Sequence, residues 1–317
     1  MKMFSHPALS AFGACAVAAM LVGCGGSQVD LGVPVVPQRN AAQASSAMRS
    51  DTTQSLLYVS NVDANNVTVY GYPKGKFVRT LSSFQGPEGE CVDSKGNVWI
   101  ANDAANDIVE YAHGGSKRIA SLKDPGNYPY GCSVDPKTGN LAVTNIETTN
   151  GVPIGSLSVY PAAKGTPVTY QGADVYQYFF CAYDNAGNLF VDGATISNTF
   201  AFAELPHGTS TLMKITLNQA VGAPGNVQWD GKHLAVGDAS ASAIYQISVS
   251  GSSGTVVGTT MLNGGGNAAI SFIDGTQVVA NISGTKFGFW KYPTGGSPTS
   301  TLSLKGIGGP FGIVVSQ

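Results

Sequence analysis

The chain has 317 residues, of which only 11% are charged, whereas 41 are Gly and 16 are Pro. Its formal net charge of −2 gives no electrostatic basis for binding nucleic acid, so we expect no nucleic-acid partner. Outside an N-terminal apolar segment, no run approaches the roughly 20 residues that a membrane-spanning helix needs. The many glycines favour short strands joined by tight turns.

Residues 1–23 have the features of a cleavable export signal. Lys2 precedes a run of apolar and small residues, from Ala11 to Gly23, that is too short to span a bilayer. The run ends in Leu21-Val22-Gly23-Cys24, which resembles a bacterial lipobox. This resemblance implies cleavage before Cys24, lipidation of its thiol, and a lipid-anchored location in the cell envelope. Because Gly25 follows the cysteine, the resemblance favours anchoring in the outer membrane if the host is Gram-negative. The alternative is an ordinary secretory signal that contains a cysteine.

Residues 24–54 show neither the period of a strand nor that of a helix. They are rich in Gly, Ser, Ala, Gln and Pro. Pro34 lies within the short apolar stretch from Val33 to Val36, and Pro37 follows it, so both prolines argue against an extra strand there. The composition predicts a flexible tether between the lipidated cysteine and the domain that follows.

A repeated unit begins at Leu56 and continues to the end of the chain. Its first strand ends in Asp, a Gly-Asn turn follows, and three further short strands complete the unit. The end of the first strand recurs every 42–49 residues, at Asp93, Asp135, Asp184, Asp230, Asp274 and Ser316. Four short strands at this period are typical of a propeller blade. The recurrence of the Asp favours turn capping over catalysis.

The repeat predicts an all-β domain over residues 55–317, a six-bladed β-propeller of four-stranded blades. Runs such as Leu56-Leu57-Tyr58-Val59 are apolar at every position, as expected for blades that pack on both faces. The chain enters at a second strand, Leu56, and leaves at a first strand, Phe311 to Ser316. The C-terminal strand can therefore complete the N-terminal blade and close the ring.

The repeat resembles two known families. Gly131-Cys132-Ser133-Val134-Asp135 with Gly139-Asn140-Leu141 is similar to the NHL-type repeat. Tyr58-Val59-Ser60-Asn61 with Asn66-Val67-Thr68-Val69-Tyr70 is similar to the YVTN-type repeat. Both resemblances imply a propeller, and six blades suit the NHL type better. Such repeats occur in binding proteins and in enzymes, so they do not indicate one activity.

Three cysteines lie on predicted first strands of successive blades. Cys91 has the opposite phase to Cys132 and Cys181. Of these two, only Cys132 lies in an adjacent blade, so only Cys91 and Cys132 can face each other. Export permits a disulfide, but packed sheets lie about 10 Å apart, farther than bridged Cα atoms. The sequence leaves open a disulfide or three buried thiols.

No motif for nucleophilic catalysis, nucleotide binding or zinc binding is present. We therefore expect no catalytic residue, no metal and no cofactor. The candidate ligand-binding residues are those at the mouth, which we define as the face where the first strands enter the ring. An aromatic, carboxyl and carboxamide mouth suits an envelope protein, a peptide or a glycan. The alternative is that these side chains only close loops. They are Glu88, Glu90, Tyr128, Tyr130, Tyr176, Tyr178, Asn226 and Asn267.

The leading interpretation is a binding or scaffold module at the cell envelope, with an unidentified ligand. The alternative is an enzyme similar to the gluconolactonase and regucalcin family, whose propellers hold a divalent metal at the axis. That resemblance would give metal-binding roles to Glu90, Asn145, Asn226 and Asp238, and hard oxygen ligands suit Ca²⁺ or Mg²⁺. The motifs that surround these ligands in the family are not evident here.

Overall fold

A computed structural model describes residues 54–152 and 154–317. The predicted signal peptide and all but the last residue of the predicted tether, with Cys24, lie outside these residues. Within the described part, the only helices are two single turns of 3-10 helix, Asp103–Ala105 and Pro161–Ala163. No helix of this part is long and apolar enough to cross a membrane.

The described residues form six small antiparallel sheets, which confirms the prediction of six blades. The strands in chain order are β1 (Leu56–Asn61), β2 (Asn66–Gly71), β3 (Lys76–Leu81), β4 (Pro87–Val92), β5 (Val98–Asn102), β6 (Asp107–Tyr111), β7 (Arg118–Lys123), β8 (Asn127–Val134), β9 (Leu141–Thr148), β10 (Ser156–Tyr160), β11 (Val168–Tyr170), β12 (Gln177–Tyr183), β13 (Leu189–Ala194), β14 (Phe200–Leu205), β15 (Met213–Lys214), β16 (Thr216–Leu217), β17 (Pro224–Trp229), β18 (Leu234–Asp238), β19 (Ala243–Ser250), β20 (Ser253–Met261), β21 (Ser271–Asp274), β22 (Gln277–Ser283), β23 (Lys286–Lys291), β24 (Ser300–Ser303) and β25 (Pro310–Ser316).

Each blade is a four-stranded sheet whose first strand lies innermost. Blade 1 has the order β25-β1-β2-β3, so its innermost strand comes from the C-terminus. Blades 2, 3, 4 and 6 begin with β4, β8, β12 and β21, and each continues in chain order. Blade 5 runs from β17 to β20 and gains a fifth strand, β16, which pairs parallel to β20.

Ring closure follows the prediction. Strand β25 pairs antiparallel with β1, with Leu56 opposite Ser316 and Leu57 opposite Val315. Strands β1, β2 and β3 of blade 1 thus obtain their innermost partner strand from the other end of the chain. This pairing satisfies the backbone groups along the inner edge of β1.

The apolar core of residues 54–152 and 154–317 consists of six clusters, one between each pair of neighbouring blades. Trp99 contributes to the cluster between blades 2 and 3, and Trp290 to the one between blades 5 and 6. Both indoles are almost fully buried. Since burying one large apolar side chain contributes about 1.5–3 kcal/mol, each blade is stabilised mainly by its two neighbours.

The turns after the first strands form as expected from their residues. Asp93 Oδ1 accepts hydrogen bonds from the backbone N–H groups of Lys95 (2.8 Å) and Asn97 (2.9 Å). Gly96 has φ +81°, a conformation that favours glycine. The recurring Asp thus caps its own turn, in agreement with the structural role predicted from its repetition.

The inner strands of blades 2 and 3 approach closely enough for a disulfide between Cys91 and Cys132, with a Cα–Cα distance of 5.6 Å. The approach is possible because β4 carries Gly89, where a Cβ atom would lie 2.6 Å from the carbonyl oxygen of Tyr130. Cys181 remains a free, buried thiol. The structure therefore decides the alternative that the sequence left open.

Candidate functional site

The two faces of the ring differ in their chemistry. Asn226 and Gln228 on β17 donate side-chain hydrogen bonds to the carbonyls of Ser271 and Ile273 on β21, which shows that neighbouring inner strands run in the same direction. All the inner strands therefore begin at the mouth. They end at the opposite face, which we call the turn face because it carries the Asp-capped turns.

A narrow cavity of about 20 Å³ lies on the axis, with lining residues from all six blades. Such a volume holds one or two water molecules. Glu90 and Asn226 belong to its lining, together with Cys132, Cys181 and Phe311. Since pockets for small molecules usually measure roughly 300–1,000 Å³, the axis is too narrow to enclose such a ligand.

Glu90 is the one acidic residue in the lining of this cavity. The residue as a whole is partly accessible to solvent, but both of its carboxylate oxygens are buried and have no hydrogen-bond partner among the described residues. Burial raises the pKa of Glu90 well above its ordinary value. The side chain therefore favours its protonated form inside the ring.

An aromatic cluster surrounds Tyr130 where the inner strands enter. Its ring centroid lies 5.1 Å from that of Phe179, 5.5 Å from that of Phe180 and 4.9 Å from that of Phe311, all in edge-to-face geometry. Phe179 and Phe311 come from blades 4 and 1, so the cluster joins strands on different sides of the ring. Tyr130, Phe179 and Phe311 all remain partly exposed.

A carboxyl group stands beside this cluster. Oε2 of Glu88 is buried without a partner among the described residues. Burial, and then the neighbouring charge of Asp103, raises the pKa of Glu88 well above its usual range. The pKa of Tyr130 is also raised, first by burial and then by Glu88. Both side chains therefore favour their protonated forms at the mouth.

The structure brings together only some of the residues predicted for the mouth. Glu88 and Tyr130 lie at the aromatic cluster, and Glu90 and Asn226 lie deeper, at the axial cavity. Tyr128 and Tyr176 are partly exposed near the starts of their strands. Asn267 closes a turn by accepting from the N–H of Ala269 at 2.9 Å.

Tyr178 is placed differently from the other predicted residues. It is fully buried in the core between blades 3 and 4, and its hydroxyl contacts Gly172. The sequence suggested the mouth because Tyr178 follows Tyr176 at a strand entry. A register shift in β12, between Tyr178 and Cys181, breaks the simple alternation on which that inference depended.

Sequence reasoning missed Asp192, which is fully buried near the end of β13. Its carboxylate accepts from the N–H of Phe180 in its own blade (2.9 Å) and from that of Gly225 in the next blade (3.1 Å). Thr144 holds the corresponding place in blade 3, where it donates to the Phe179 carbonyl at 2.6 Å. The available signal was a polar residue directly before the position in the second strand that holds Asn145 in blade 3 and Gly193 in blade 4. Asp192 joins two inner strands and is not a ligand group of the mouth.

The four residues assigned to the metal site of the lactonase-like alternative do not converge. Glu90 and Asn226 line the axial cavity. In contrast, Asn145 donates to Ser156 and Ser158 on the next strand of its own blade. Asp238 accepts from backbone N–H groups in its own blade. Among the described residues, no group of three or more His, Cys, Asp or Glu side chains could hold a metal. The arrangement gives the alternative no support.

Comparison with known proteins agrees on the fold. No family model matches the chain, and no curated protein matches it. Among solved structures, the chain is similar to one from a nidogen/laminin complex, with a TM-score of 0.65 and 10% identity over 83% of this chain and 98% of the other. It is also similar to a protein of unknown function from Bacteroides caccae, with a TM-score of 0.62 and 12% identity over 84% of this chain and all of the other.

The chain is a β-propeller. At such low sequence identity the likeness concerns the fold alone, and it carries no ligand or partner over from either protein.

Proposed function

We propose that this protein is an exported, lipid-anchored binding or scaffold module of the cell envelope. Its partner would be an envelope protein, a peptide or a glycan bound at the mouth of the propeller. The observation that carries the proposal is the partly exposed cluster of Tyr130, Phe179 and Phe311 beside Glu88, above an axis too narrow for a small molecule.

The chemistry of the mouth supports binding across its surface. Aromatic rings provide large, rigid contact areas and are enriched among residues that dominate binding energies. A protonated Glu88 can donate a hydrogen bond to a carbonyl or hydroxyl oxygen. A chain-like ligand could cover the mouth without entering the axial cavity.

The described part of the chain begins at the turn face. The Gln54 carbonyl oxygen lies 3.1 Å from Nε2 of His113, and Nδ1 of the same ring lies 2.6 Å from Oγ of Ser316, which ends β25. The NHL-type assignment belongs to the same proposal and has the six-blade count in its favour.

The test compares how much ligand the full, tagged protein and its variants capture from solubilised envelopes. Glu88→Met, which removes the donor, and Phe311→Ala should each reduce the retained ligand, identified by mass spectrometry, at least tenfold, while thermal scans still show cooperative unfolding of both variants. Lys95→Ala, at an exposed turn on the opposite face, should retain it fully. Equal capture by the mouth variants and by wild type would disprove binding at the mouth.

A further inference from the structure

One position of the repeat connects each blade to the blade before it, and we call it the bridging position. It lies two residues beyond the third-strand residue that pairs with the first or second residue of the second strand, as Tyr72 follows Tyr70, the partner of Leu57. The second-strand residues that define it are Leu57, Val98, Leu141, Leu189, Leu234 and Val278. The six bridging residues are Tyr72, His113, Ala162, His207, Val249 and Tyr292.

Polar rings at this position reach the residue that ends the first strand of the preceding blade or directly follows it. The Tyr292 hydroxyl donates to Asp230 Oδ2 at 2.6 Å. Nδ1 of His113 likewise lies 2.6 Å from Oγ of Ser316. Burial, and then the charge of Asp274, raises the pKa of Tyr72, which places that phenol beside the corresponding Asp. These rings fill the space between the outer parts of neighbouring blades.

Blade 5 has Val249 at the bridging position, and a cleft of about 210 Å³ lies there between blades 4 and 5. The cleft opens because an isopropyl group is too short to reach Asp184, the first-strand Asp of blade 4. Its lining includes Val249, Asp184, Glu204, Trp229 and Lys232. The volume suits a single ring and not a chain of sugars.

The acceptors that a bridging ring would need are present in the cleft. Asp184 Oδ1 accepts two backbone N–H groups of its own turn, and Oδ2 accepts one bond from the Asn188 side chain. Since a carboxylate oxygen has two lone pairs, Oδ2 can accept another bond. The equivalent oxygen of Asp230 is the one that the Tyr292 hydroxyl uses.

Glu204 adds a second acceptor. The corresponding Glu110 of blade 2 accepts from Asn97 at 2.9 Å. In contrast, the Glu204 carboxyl has no hydrogen-bond or ion-pair partner among the described residues. Burial, and then the charge of Asp184, raises its pKa. The indole of Trp229 provides an aromatic wall, and its buried N–H has no acceptor in the described part of the chain.

We propose that this cleft binds a tyrosine side chain presented by a partner peptide. The phenol would donate to Asp184 or Glu204 and pack against Trp229, so that it completes between blades 4 and 5 the contact that Tyr292 makes between blades 5 and 6. The two carboxyl groups disfavour an anionic ligand. The cleft lies on the turn face, so the proposal is independent of binding at the mouth.

The test uses N-acetyltyrosinamide as the probe and the full chain as the protein. Binding is followed by NMR through the indole N–H signal of Trp229, which a Trp229→Phe variant assigns. We expect saturable binding with a dissociation constant on the order of 1 mM, a weak affinity that suits contact with one side chain. N-acetylphenylalaninamide, which lacks only the hydroxyl, should bind at least fivefold more weakly. A monosaccharide such as methyl glucoside should not shift the signal.

Two variants locate the binding. Val249→Tyr should fill the cleft with the protein's own phenol and weaken binding of the probe at least tenfold. Glu204→Gln should weaken it severalfold, and it keeps the test decisive if Val249→Tyr folds poorly. Val257→Tyr introduces the same residue at an exposed site of the same blade and should bind as wild type. Equal affinity for the two amides, unchanged binding in both cleft variants, or a response to the sugar alone would overturn the proposal.

Discussion

At the scale of single residues, Glu90 is a carboxyl group held inside the ring without a protein partner. Burial raises its pKa well above the ordinary value, whereas in the unfolded chain the group titrates normally. Between these two pKa values the folded state binds more protons than the unfolded state. The free energy of unfolding therefore falls as the pH rises through that interval.

Replacing Glu90 by Gln should remove the contribution of this group to the pH dependence, whereas Glu88 keeps its own. At pH 8 the variant should be more stable than wild type by about 1–3 kcal/mol, because folding no longer has to protonate a buried carboxyl or bury its charge without a partner. At pH 5, where the wild-type carboxyl holds its proton in the folded state, the difference should shrink. Urea unfolding at the two pH values measures it.

Glu147→Gln is the matched control, since Glu147 lies on β9 and does not line the axial cavity. It should leave the difference in stability between pH 5 and pH 8 unchanged. If Glu90→Gln and wild type lose stability in parallel between these pH values, Glu90 is not the buried group that titrates.

At the scale of elements, β25 is the strand on which ring closure depends. It provides Ile313, Val314 and Val315 to the clusters on both sides of blade 1. It also pairs with β1 along most of its length. No other strand of the described chain lies next to this edge of β1.

Deleting residues 309–317 should prevent stable folding. The deletion unpairs the backbone groups of β1 at about 1–3 kcal/mol for each group left buried, and it removes Val314 from one core cluster and Ile313 and Val315 from another. Domains are stabilised by only about 5–15 kcal/mol, so the protein should aggregate or melt far below wild type in thermal scans.

A deletion of residues 27–50, in the predicted tether, is the control and should keep the wild-type melting temperature. Equal melting temperatures for the full chain and for the chain without residues 309–317 would show that closure by β25 does not stabilise the ring.

At the scale of the whole molecule, the ring has two faces with separate proposed roles. The mouth carries the aromatic cluster, whereas the chain enters at the turn face through Gln54. The proposed anchoring depends on the predicted lipidation at Cys24.

Cys24→Ser should block lipid attachment and leave an uncleaved precursor. In cells, the variant should run at higher apparent mass and lose the lipid label of wild type, as shown by metabolic labelling with a palmitate analogue. Cys15→Ser changes the other cysteine of the signal region and should be processed normally. Normal cleavage and labelling of the Cys24 variant would refute the lipobox interpretation.

Much of the propeller could be predicted because its signals are local and repeated. An Asp followed by a Gly-Asn turn sets the end of a first strand wherever it occurs, since turn geometry depends on a few neighbouring residues. The recurrence of that unit from Asp93 to Ser316 determined the number of blades. The phase of the repeat at Leu56 and Phe311 determined how the ring closes.

Contacts between blades depended on the tertiary structure. Alternation along the first strands showed that Cys91 and Cys132 could face each other, but their pairing required the close approach that Gly89 permits. A register shift turned Tyr178 into the core, and Asp192 joined two inner strands. The cleft at Val249 depends on the distance between this side chain and Asp184 of the preceding blade. A sequence repeat specifies the blade, whereas the distances between blades arise from packing side chains that are far apart in the chain.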